Sequence, residues 1–177
     1  MSGKNHKEKL RDIRAFVLDV DGVMTDGMAT IFPNGEFIRQ MSVKDGYAMQ
    51  LAIKRGLKIF VITGGRDESI KIRLNRLGIF DVSLNTHDKM DRLYEYSLMY
   101  DIPYSQMLYM GDDVPDIEPM REVGLATCPA DACSDVIAVS DYISPYKGGH
   151  GAVRDIIEQT LKIQGLWGED DFKSYNA

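Results

Sequence analysis

Residues 13–22 have the sequence Ile-Arg-Ala-Phe-Val-Leu-Asp-Val-Asp-Gly. The apolar and β-branched residues up to Val20 are typical of a strand in the middle of a parallel sheet, because helices cover such a strand on both faces. Asp19, Asp21 and Gly22 lie at the end of this predicted strand. Reactive groups of open α/β sheets lie outside the carboxyl ends of the strands, so we expect chemistry at this position.

The rest of the chain alternates between strand and helix patterns. Further strands are predicted over residues 58–62, 82–84, 107–110 and 125–126, and helices over residues 45–55, 67–77, 89–100, 114–123 and 151–163. Pro33-Asn34-Gly35 separates two apolar segments, 29–32 and 37–41, and predicts a hairpin, because an Asn-Gly pair tolerates the positive φ of a tight turn. The predicted fold is therefore α/β, with a Rossmann-like parallel sheet, helices on both faces, a small β-hairpin insertion and no large cap domain.

The length of the chain, 177 residues, fits one domain. Both ends of the sequence are polar, which is typical of segments outside a packed domain. We therefore expect a flexible N-terminus at residues 1–12, one domain at residues 13–164 and a C-terminal tail at residues 165–177.

Composition and charge argue against several classes of function. The formal net charge is −6 and Lys and Arg are not clustered, which argues against nucleic acid as a partner. No apolar run is long enough to span a membrane, and residues 1–14 lack the apolar core of a signal peptide. Cys128 and Cys133 are the only cysteines and are interpreted as reduced thiols. We therefore expect a cytoplasmic protein that binds neither nucleic acid nor membranes.

Polar clusters follow three of the predicted strands. They are Asp19-Val20-Asp21-Gly22, Thr63-Gly64-Gly65 and Gly111-Asp112-Asp113. In one parallel sheet these clusters would meet at the same edge. Crowded carboxylates repel one another unless a hard cation neutralises them. Mg²⁺ fits such a site, because it prefers oxygen ligands and combines carboxylates with phosphate oxygens.

These residue types permit phosphoryl transfer through a covalent intermediate. Asp19 is the candidate nucleophile, because an attacking carboxylate splits one displacement at phosphorus into two easier steps. Asp21 lies two residues further on the same face of an extended segment and is the candidate acid and base. Thr63 and Lys89 are candidate donors to the phosphoryl oxygens. Each residue also has a purely structural explanation, such as a strand-to-loop turn, a solvated lysine or a helix N-cap.

Four motifs, taken together, resemble the signature motifs of the haloacid dehalogenase-like phosphatases. They are Asp19-Val20-Asp21-Gly22-Val23, Ile62-Thr63-Gly64, Lys89 and Met110-Gly111-Asp112-Asp113. Three further motifs are similar to those of a capless subgroup of this family, and they are Thr25-Asp26-Gly27, Val43-Lys44-Asp45-Gly46-Tyr47 and Gly148-Gly149-His150-Gly151-Ala152-Val153-Arg154. The resemblance spans most of the chain in the order of the family.

This resemblance implies the roles of five residues. Asp19 would be the nucleophile, Asp21 the acid and base, and Thr63 and Lys89 phosphate ligands. Asp19, the backbone carbonyl of Asp21, and Asp112 would hold Mg²⁺.

The subgroup also implies a substrate and a pathway. The substrate would be 3-deoxy-D-manno-octulosonate 8-phosphate, hydrolysed to the free sugar acid and phosphate via an aspartyl-phosphate during lipopolysaccharide sugar biosynthesis. One alternative is a nonulosonate 9-phosphate, from sialic acid or its deaminated relative. Another is a non-catalytic oligomerisation module.

The subgroup further implies a homotetramer in which the hairpins assemble and a neighbouring subunit closes the site. We take Gly64, Arg66, Arg73 and Asp45 as candidate contacts to the substrate. The chain departs from many relatives at two positions, since Gly65 and His150 stand where those relatives often have Arg. An anionic carboxylate prefers a bidentate cation, so these two differences bear on how the sugar acid is bound.

Overall fold

The computed structural model describes residues 5–168. Residues 1–4 and 169–177, which belong to the two predicted terminal segments, lie outside the described residues.

A six-stranded parallel sheet forms the centre of the protein. Its strands are β1 (Ala15–Leu18), β4 (Lys58–Ile62), β5 (Val82–Ser83), β6 (Met107–Met110), β7 (Leu125–Cys128) and β8 (Tyr142–Ile143), and the two strands β2 (Thr30–Ile31) and β3 (Phe37–Ile38) form a separate antiparallel hairpin. The strand order is β5-β4-β1-β6-β7-β8. Because β1 lies between β4 and β6, the carboxyl ends of these three strands are neighbours.

Helices cover both faces of the sheet. They are α1 (His6–Lys9), α2 (Val43–Lys54), α3 (Glu68–Arg76), α4 (Lys89–Tyr100), α5 (Ile117–Glu122), α6 (Ser134–Val139) and α7 (Ala152–Ile163). Phe16 and Leu18 of β1 pack into a core that includes α2, α3 and α7, whereas Ala15 and Val17 pack into a second core that includes α4, α5 and α6. None of the helices within residues 5–168 has the length and apolar character needed to cross a bilayer.

The observed architecture confirms the predicted α/β fold with its hairpin insertion. β1 is shorter than the predicted strand, because pairing with β4 and β6 ends at Leu18 and the chain then turns, with the N–H of Met24 donating to the carbonyl of Val20 over 2.9 Å. The sequence patterns did not predict α6 or β8, which have six and two residues. Such short elements carry too few residues to show a periodicity.

The packed region extends beyond both ends of the predicted domain, 13–164. Residues 5–12 were expected to be flexible, but they include α1 and a 3-10 turn, Leu10–Asp12, and Leu10 is fully buried. Gln164 fixes this segment, because its side-chain amide donates to the carbonyls of Leu10 and Ile13. At the other end, Leu166 and Trp167 pack against the core that contains α2 and α7.

Asp45 connects α2 to the start of α7. Its side chain is 1% exposed, and its Oδ1 accepts a hydrogen bond of 2.8 Å from the backbone N–H of Arg154 in the first turn of α7. The N-cap residue of α7, Gly151, has no side chain to serve this N–H. Burial raises the pKa of Asp45, although the N–H groups that face it oppose the shift. Asp45 therefore acts as an N-cap supplied from another helix.

We predict that Asp45→Ala lowers the free energy of unfolding by about 1–2 kcal/mol, because the first turn of α7 loses an acceptor. Urea denaturation followed by circular dichroism measures this loss. Asp45→Asn keeps an acceptor oxygen and should lose less. Equal losses in the two variants, or no loss in Asp45→Ala, would contradict the capping role.

Candidate active site

Asp19 lies directly after β1 at the bottom of an acidic cleft. Its backbone N–H donates to the carbonyl of Met110 over 3.1 Å, so the ends of β1 and β6 are held together at this point. The side chain is 11% exposed, and its Oδ1 lies 3.2 Å from Nζ of Lys89. Burial on the strand end thus fixes this carboxylate beside a cation.

Asp112 approaches Asp19 from the loop after β6, and this approach depends on Gly22. A Cβ at Gly22 would lie 2.0 Å from Oδ2 of Asp112, and the φ of Gly22 is +79°. A side chain at this position would therefore collide with the carboxylate. The glycine of the Asp-x-Asp-Gly motif makes room for the acidic residue of the neighbouring loop.

Lys89 and Asp116 form a buried ion pair behind the two carboxylates. Nζ of Lys89 donates to Oδ1 of Asp116 over 2.7 Å, and the hydroxyl of Tyr109 donates to the same oxygen over 2.7 Å. The other oxygen of Asp116 accepts from the backbone N–H of Asp112 over 3.2 Å. Asp116 is 1% exposed. It therefore holds Lys89 and the Asp112 loop in place.

Burial and mutual repulsion raise the pKa values of the carboxyl groups in the cleft. Burial, followed by the negative charge of Asp116, raises the pKa of Asp19 to about 7. Burial, followed by the charge of Asp19, raises the pKa of Asp112 to about 7. Burial alone would lower the pKa of Lys89, but Asp19 and Asp116 raise it above its usual value. Protons or a cation must therefore compensate these carboxylates near neutral pH.

The donor set fits a hard divalent cation. Asp19, Asp112 and Asp116 each offer an oxygen within 4.8 Å of the others. Asp116 already bonds to Lys89, Tyr109 and the loop backbone, whereas Oδ1 of Asp112 is buried and has no hydrogen-bond partner among residues 5–168. Asp19 and Asp112 are therefore the carboxylates with oxygens to spare. An all-oxygen set of this kind suits Mg²⁺.

Thr63 and Gly64 form the opposite wall of the cleft, at the end of β4. Thr63 is 2% exposed, and its hydroxyl accepts a hydrogen bond of 3.0 Å from the N–H of Gly65. The cleft has a volume of about 430 Å³. All the predicted catalytic and metal residues, together with the predicted substrate contact Gly64, line this cleft, and they are Asp19, Asp21, Thr63, Lys89 and Asp112. The structure thus brings together the motifs that follow the predicted strands.

Asp21 lies at the mouth of the cleft and contacts the hairpin segment. Its side chain is 44% exposed, and the guanidinium of Arg39 donates to both of its oxygens, through Nη2 to Oδ2 over 3.1 Å and through Nε to Oδ1. Arg39 follows β3 directly. The sequence analysis did not identify Arg39, because its partner lies 18 residues away along the chain.

Three of the predicted substrate contacts lie outside the acidic cleft. Asp45 is buried between α2 and α7, where the N–H of Arg154 occupies its Oδ1. Arg66 is exposed and lines a separate depression beside β5. Arg73 lines a smaller cleft of about 280 Å³ that it shares with Arg39. Of the four candidates, Gly64 alone lines the acidic cleft.

The glycine-rich segment before α7 supports the cleft from behind. A Cβ at Gly148 would lie 1.8 Å from the carbonyl oxygen of Gly22, and the N–H of Gly149 donates to the carbonyl of Val23 over 2.9 Å. His150 is exposed and its Nδ1 lies 2.7 Å from the carbonyl of Gly148. The segment therefore positions the loop after β1, and His150 lies outside the cleft.

Several residues of the site were not predicted. Asp116 follows Asp112 by four residues, and the sequence patterns assign no role to it. The strand pattern indicates only that Tyr109 is a buried residue of β6. It does not predict the hydrogen bond from its hydroxyl to Asp116. Thr86 and His87, in the loop before α4, also line the cleft.

The fold and the site together define a class of protein. A carboxylate after β1, a hydroxyl after β4, a lysine at the start of α4 and an acidic loop after β6 converge at one edge of a parallel sheet, which is the arrangement of the haloacid dehalogenase-like hydrolases.

Comparisons with known proteins identify the family within this class. The 3-deoxy-D-manno-octulosonate 8-phosphate phosphatase of Yersinia pestis is 33% identical over 165 residues, which cover 91% of this chain and 88% of the relative. The phosphatase of the same name from Escherichia coli K12 is 33% identical over 157 residues, covering 89% and 84%. No protein-family model matches the chain. The chain belongs to the family of 3-deoxy-D-manno-octulosonate 8-phosphate phosphatases.

A solved structure supports this assignment. The crystal structure of the phosphatase of this name from Moraxella catarrhalis, in complex with magnesium, phosphate and a KDO molecule, superposes with a TM-score of 0.90. It is 32% identical, and the match covers 98% of this chain and 99% of that one.

We predict that Mg²⁺ stabilises the protein through Asp19 and Asp112. At 100 times its Kd, a ligand that binds only the folded state adds about 2.7 kcal/mol to the free energy of unfolding. Differential scanning calorimetry should therefore show a higher Tm with Mg²⁺, and Asp112→Asn should remove most of this increase. Asp135→Asn, at an exposed position on α6, is the control and should keep it. An equal increase in Asp112→Asn and the control would contradict the metal site.

Proposed function

We propose that this protein is a Mg²⁺-dependent phosphatase that hydrolyses 3-deoxy-D-manno-octulosonate 8-phosphate to the free sugar acid and phosphate. The observation that carries the proposal is the convergence of Asp19, Lys89 and Asp112 in one buried cleft. The names of the relatives supply the substrate, and the magnesium, phosphate and KDO of the Moraxella catarrhalis structure agree with this chemistry.

Asp19 is the proposed nucleophile of the first step. One of its carboxylate oxygens attacks phosphorus, the bond between phosphorus and the sugar oxygen breaks, and an aspartyl-phosphate forms on Asp19. Asp21 donates a proton to the departing sugar oxygen. Its position at the mouth of the cleft, two residues from Asp19, supports this role.

The second step uses the same two residues. Asp21 takes a proton from a water molecule, the water oxygen attacks the phosphorus of the aspartyl-phosphate, and the bond to Asp19 breaks to release phosphate. The carboxylate of Asp19 is thereby restored. Because one residue gives and then takes a proton, no other proton carrier is needed.

Lys89 and Thr63 are the proposed ligands of the phosphoryl oxygens. Lys89 is held by Asp116, and Thr63 by the turn at Gly65, so both donors are fixed before the substrate arrives. When Mg²⁺ is bound by Asp19, Asp112 and the carbonyl of Asp21, it supplies positive charge that offsets the carboxylates and the phosphoryl oxygens.

Arg73 and Gly64 are the substrate contacts that the geometry favours. Gly64 lines the acidic cleft, and its lack of a side chain lets the substrate approach the backbone. Arg73 is half-buried and lies in the cleft that it shares with Arg39, where a sugar carboxylate would find a guanidinium. Arg66 lies in the separate depression beside β5, and Asp45 accepts a hydrogen bond from the first turn of α7.

We also propose a cytoplasmic homotetramer that serves lipopolysaccharide sugar biosynthesis. The support for assembly is an exposed apolar surface on the hairpin, where Met28 is 72% exposed, Ile31 76% and Ile38 54%. Apolar patches of this kind mark interaction sites on soluble proteins. The acidic cleft has no cap domain within residues 5–168, so a neighbouring hairpin would shield it from water.

Asp19→Asn tests the covalent route. We expect kcat for 3-deoxy-D-manno-octulosonate 8-phosphate to fall at least about 1000-fold, because an amide cannot attack phosphorus. Phosphate release in Mg²⁺ measures kcat, and circular dichroism confirms that the fold is kept. Substantial activity in the variant would contradict the covalent route. A higher kcat/KM for a nonulosonate 9-phosphate in the wild-type protein would contradict the proposed substrate.

Ile31→Asp combined with Ile38→Asp tests the assembly. We expect the tetramer to dissociate, because charged side chains cannot be buried between hairpins without a partner. Sedimentation velocity measures the change. Leu98→Asp is the matched control, since Leu98 is 64% exposed on α4, away from the hairpin, and this variant should remain assembled. A monomeric wild-type protein would contradict the proposal.

A further inference from the structure

Arg39 brings the hairpin into contact with the proposed catalytic machinery. Its side chain is 11% exposed, although the neighbouring strands β2 and β3 are exposed throughout. The guanidinium lies 4.4 Å from the ring centroid of Phe37 and 3.5 Å from a carboxylate oxygen of Asp67, the N-cap residue of α3. These contacts leave the guanidinium little freedom to move.

The Nε and Nη2 edge of this guanidinium contacts Asp21. Nη2 and Nε donate to the two different oxygens of the Asp21 carboxylate, which is the bidentate geometry of strong Arg–carboxylate pairs. Within residues 5–168, Arg39 is the sole residue with a hydrogen bond to the Asp21 side chain. The orientation of Asp21 is therefore set by a residue of the hairpin segment.

Gly65 lies next to the guanidinium of Arg39. A Cβ at Gly65 would lie 3.6 Å from Nη2 of Arg39 and 3.3 Å from the hydroxyl of Thr63. The Cβ of a larger residue at position 65 would therefore already contact the guanidinium, and the rest of its side chain would need further space. The guanidinium beside position 65 thus comes from the hairpin side.

We propose that Arg39 is a positioning residue that holds Asp21 in the orientation needed to pass a proton to the leaving oxygen. This inference rests on the proposed function, in which Asp21 is the acid and base. A carboxylate at the mouth of the cleft with 44% of its side chain exposed has several rotamers open to it. The two hydrogen bonds from Arg39 select one of them. The proton transfer thus depends on the placement of the hairpin.

If Arg39 positions Asp21, the effect of removing Arg39 on the rate should depend on the leaving group of the substrate. A leaving oxygen that is unstable as an anion needs a proton as its bond to phosphorus breaks, whereas an oxygen that is stable as an anion leaves without one. Loss of the Asp21 orientation should therefore slow a poor leaving group more than a good one. Phenyl phosphate has the poorer leaving group of this pair and 4-nitrophenyl phosphate the better one. Neither ester carries a carboxylate that could itself bind Arg39.

The experiment compares kcat/KM of the full chain for these two esters in Mg²⁺. We expect Arg39→Gln to lower kcat/KM for phenyl phosphate about 10- to 100-fold more than for 4-nitrophenyl phosphate, which is part of the roughly 10²- to 10⁴-fold that general acid catalysis contributes. Arg39→Lys keeps the positive charge and one hydrogen bond, so it should recover part of the difference. Gln40→Ala is the control, because Gln40 is the exposed neighbour of Arg39, and it should leave the ratio unchanged.

The ratio of the two rates is measured on one preparation, so a loss of folded protein through partial unfolding cancels from it. Equal losses for the two esters, or no loss for either, would overturn the positioning role. If the wild-type protein hydrolyses 3-deoxy-D-manno-octulosonate 8-phosphate and the ratio for the two esters is the same in Arg39→Gln as in the wild type, the positioning role is wrong and the proposed function stands. A wild-type protein inactive on every phosphate ester would contradict the proposed function as well.

Discussion

The repulsion between buried carboxylates is the constraint on which the site depends. Asp19, Asp112 and Asp116 place oxygens within 4.8 Å of one another, and Lys89 alone supplies a positive side chain to this group within residues 5–168. The pKa values of Asp19 and Asp112 rise to about 7 in response, chiefly through burial. A protein keeps such an arrangement when a cation completes it, and in the proposed function the same cation also meets the phosphoryl group.

The order of the strands makes this crowding possible. β1 is paired with β4 on one side and β6 on the other, so the loops after these three strands share one edge. The glycines at 22 and 148 let the loops approach one another to distances that a side chain would prevent. The hairpin segment also reaches this edge, where Arg39 connects it to Asp21. The loop after β1 and the exposed hairpin are therefore joined by an ion pair.

The sequence was sufficient for the features that depend on local pattern. Apolar strands followed by acidic or glycine-rich turns predicted the sheet, and the end-of-strand position predicted that Asp19, Thr63 and Asp112 would meet. It was not sufficient for contacts that depend on where separate loops lie in space. Asp45 belongs to a motif of the resemblance, yet it caps α7, and the Asp21 partner, Arg39, lies on the hairpin. Contacts between side chains that lie far apart in the sequence leave no periodic pattern from which they could be predicted.

Anomalous diffraction from crystals soaked in Mn²⁺ is the most direct test of the central claim. Mn²⁺ accepts the oxygen ligands that suit Mg²⁺ and can be located by its anomalous signal. The account predicts one peak in the acidic cleft, bound by carboxylate oxygens of Asp19 and Asp112, while Asp116 remains bonded to Lys89. An empty cleft, or an ion bound away from Asp19, would contradict it.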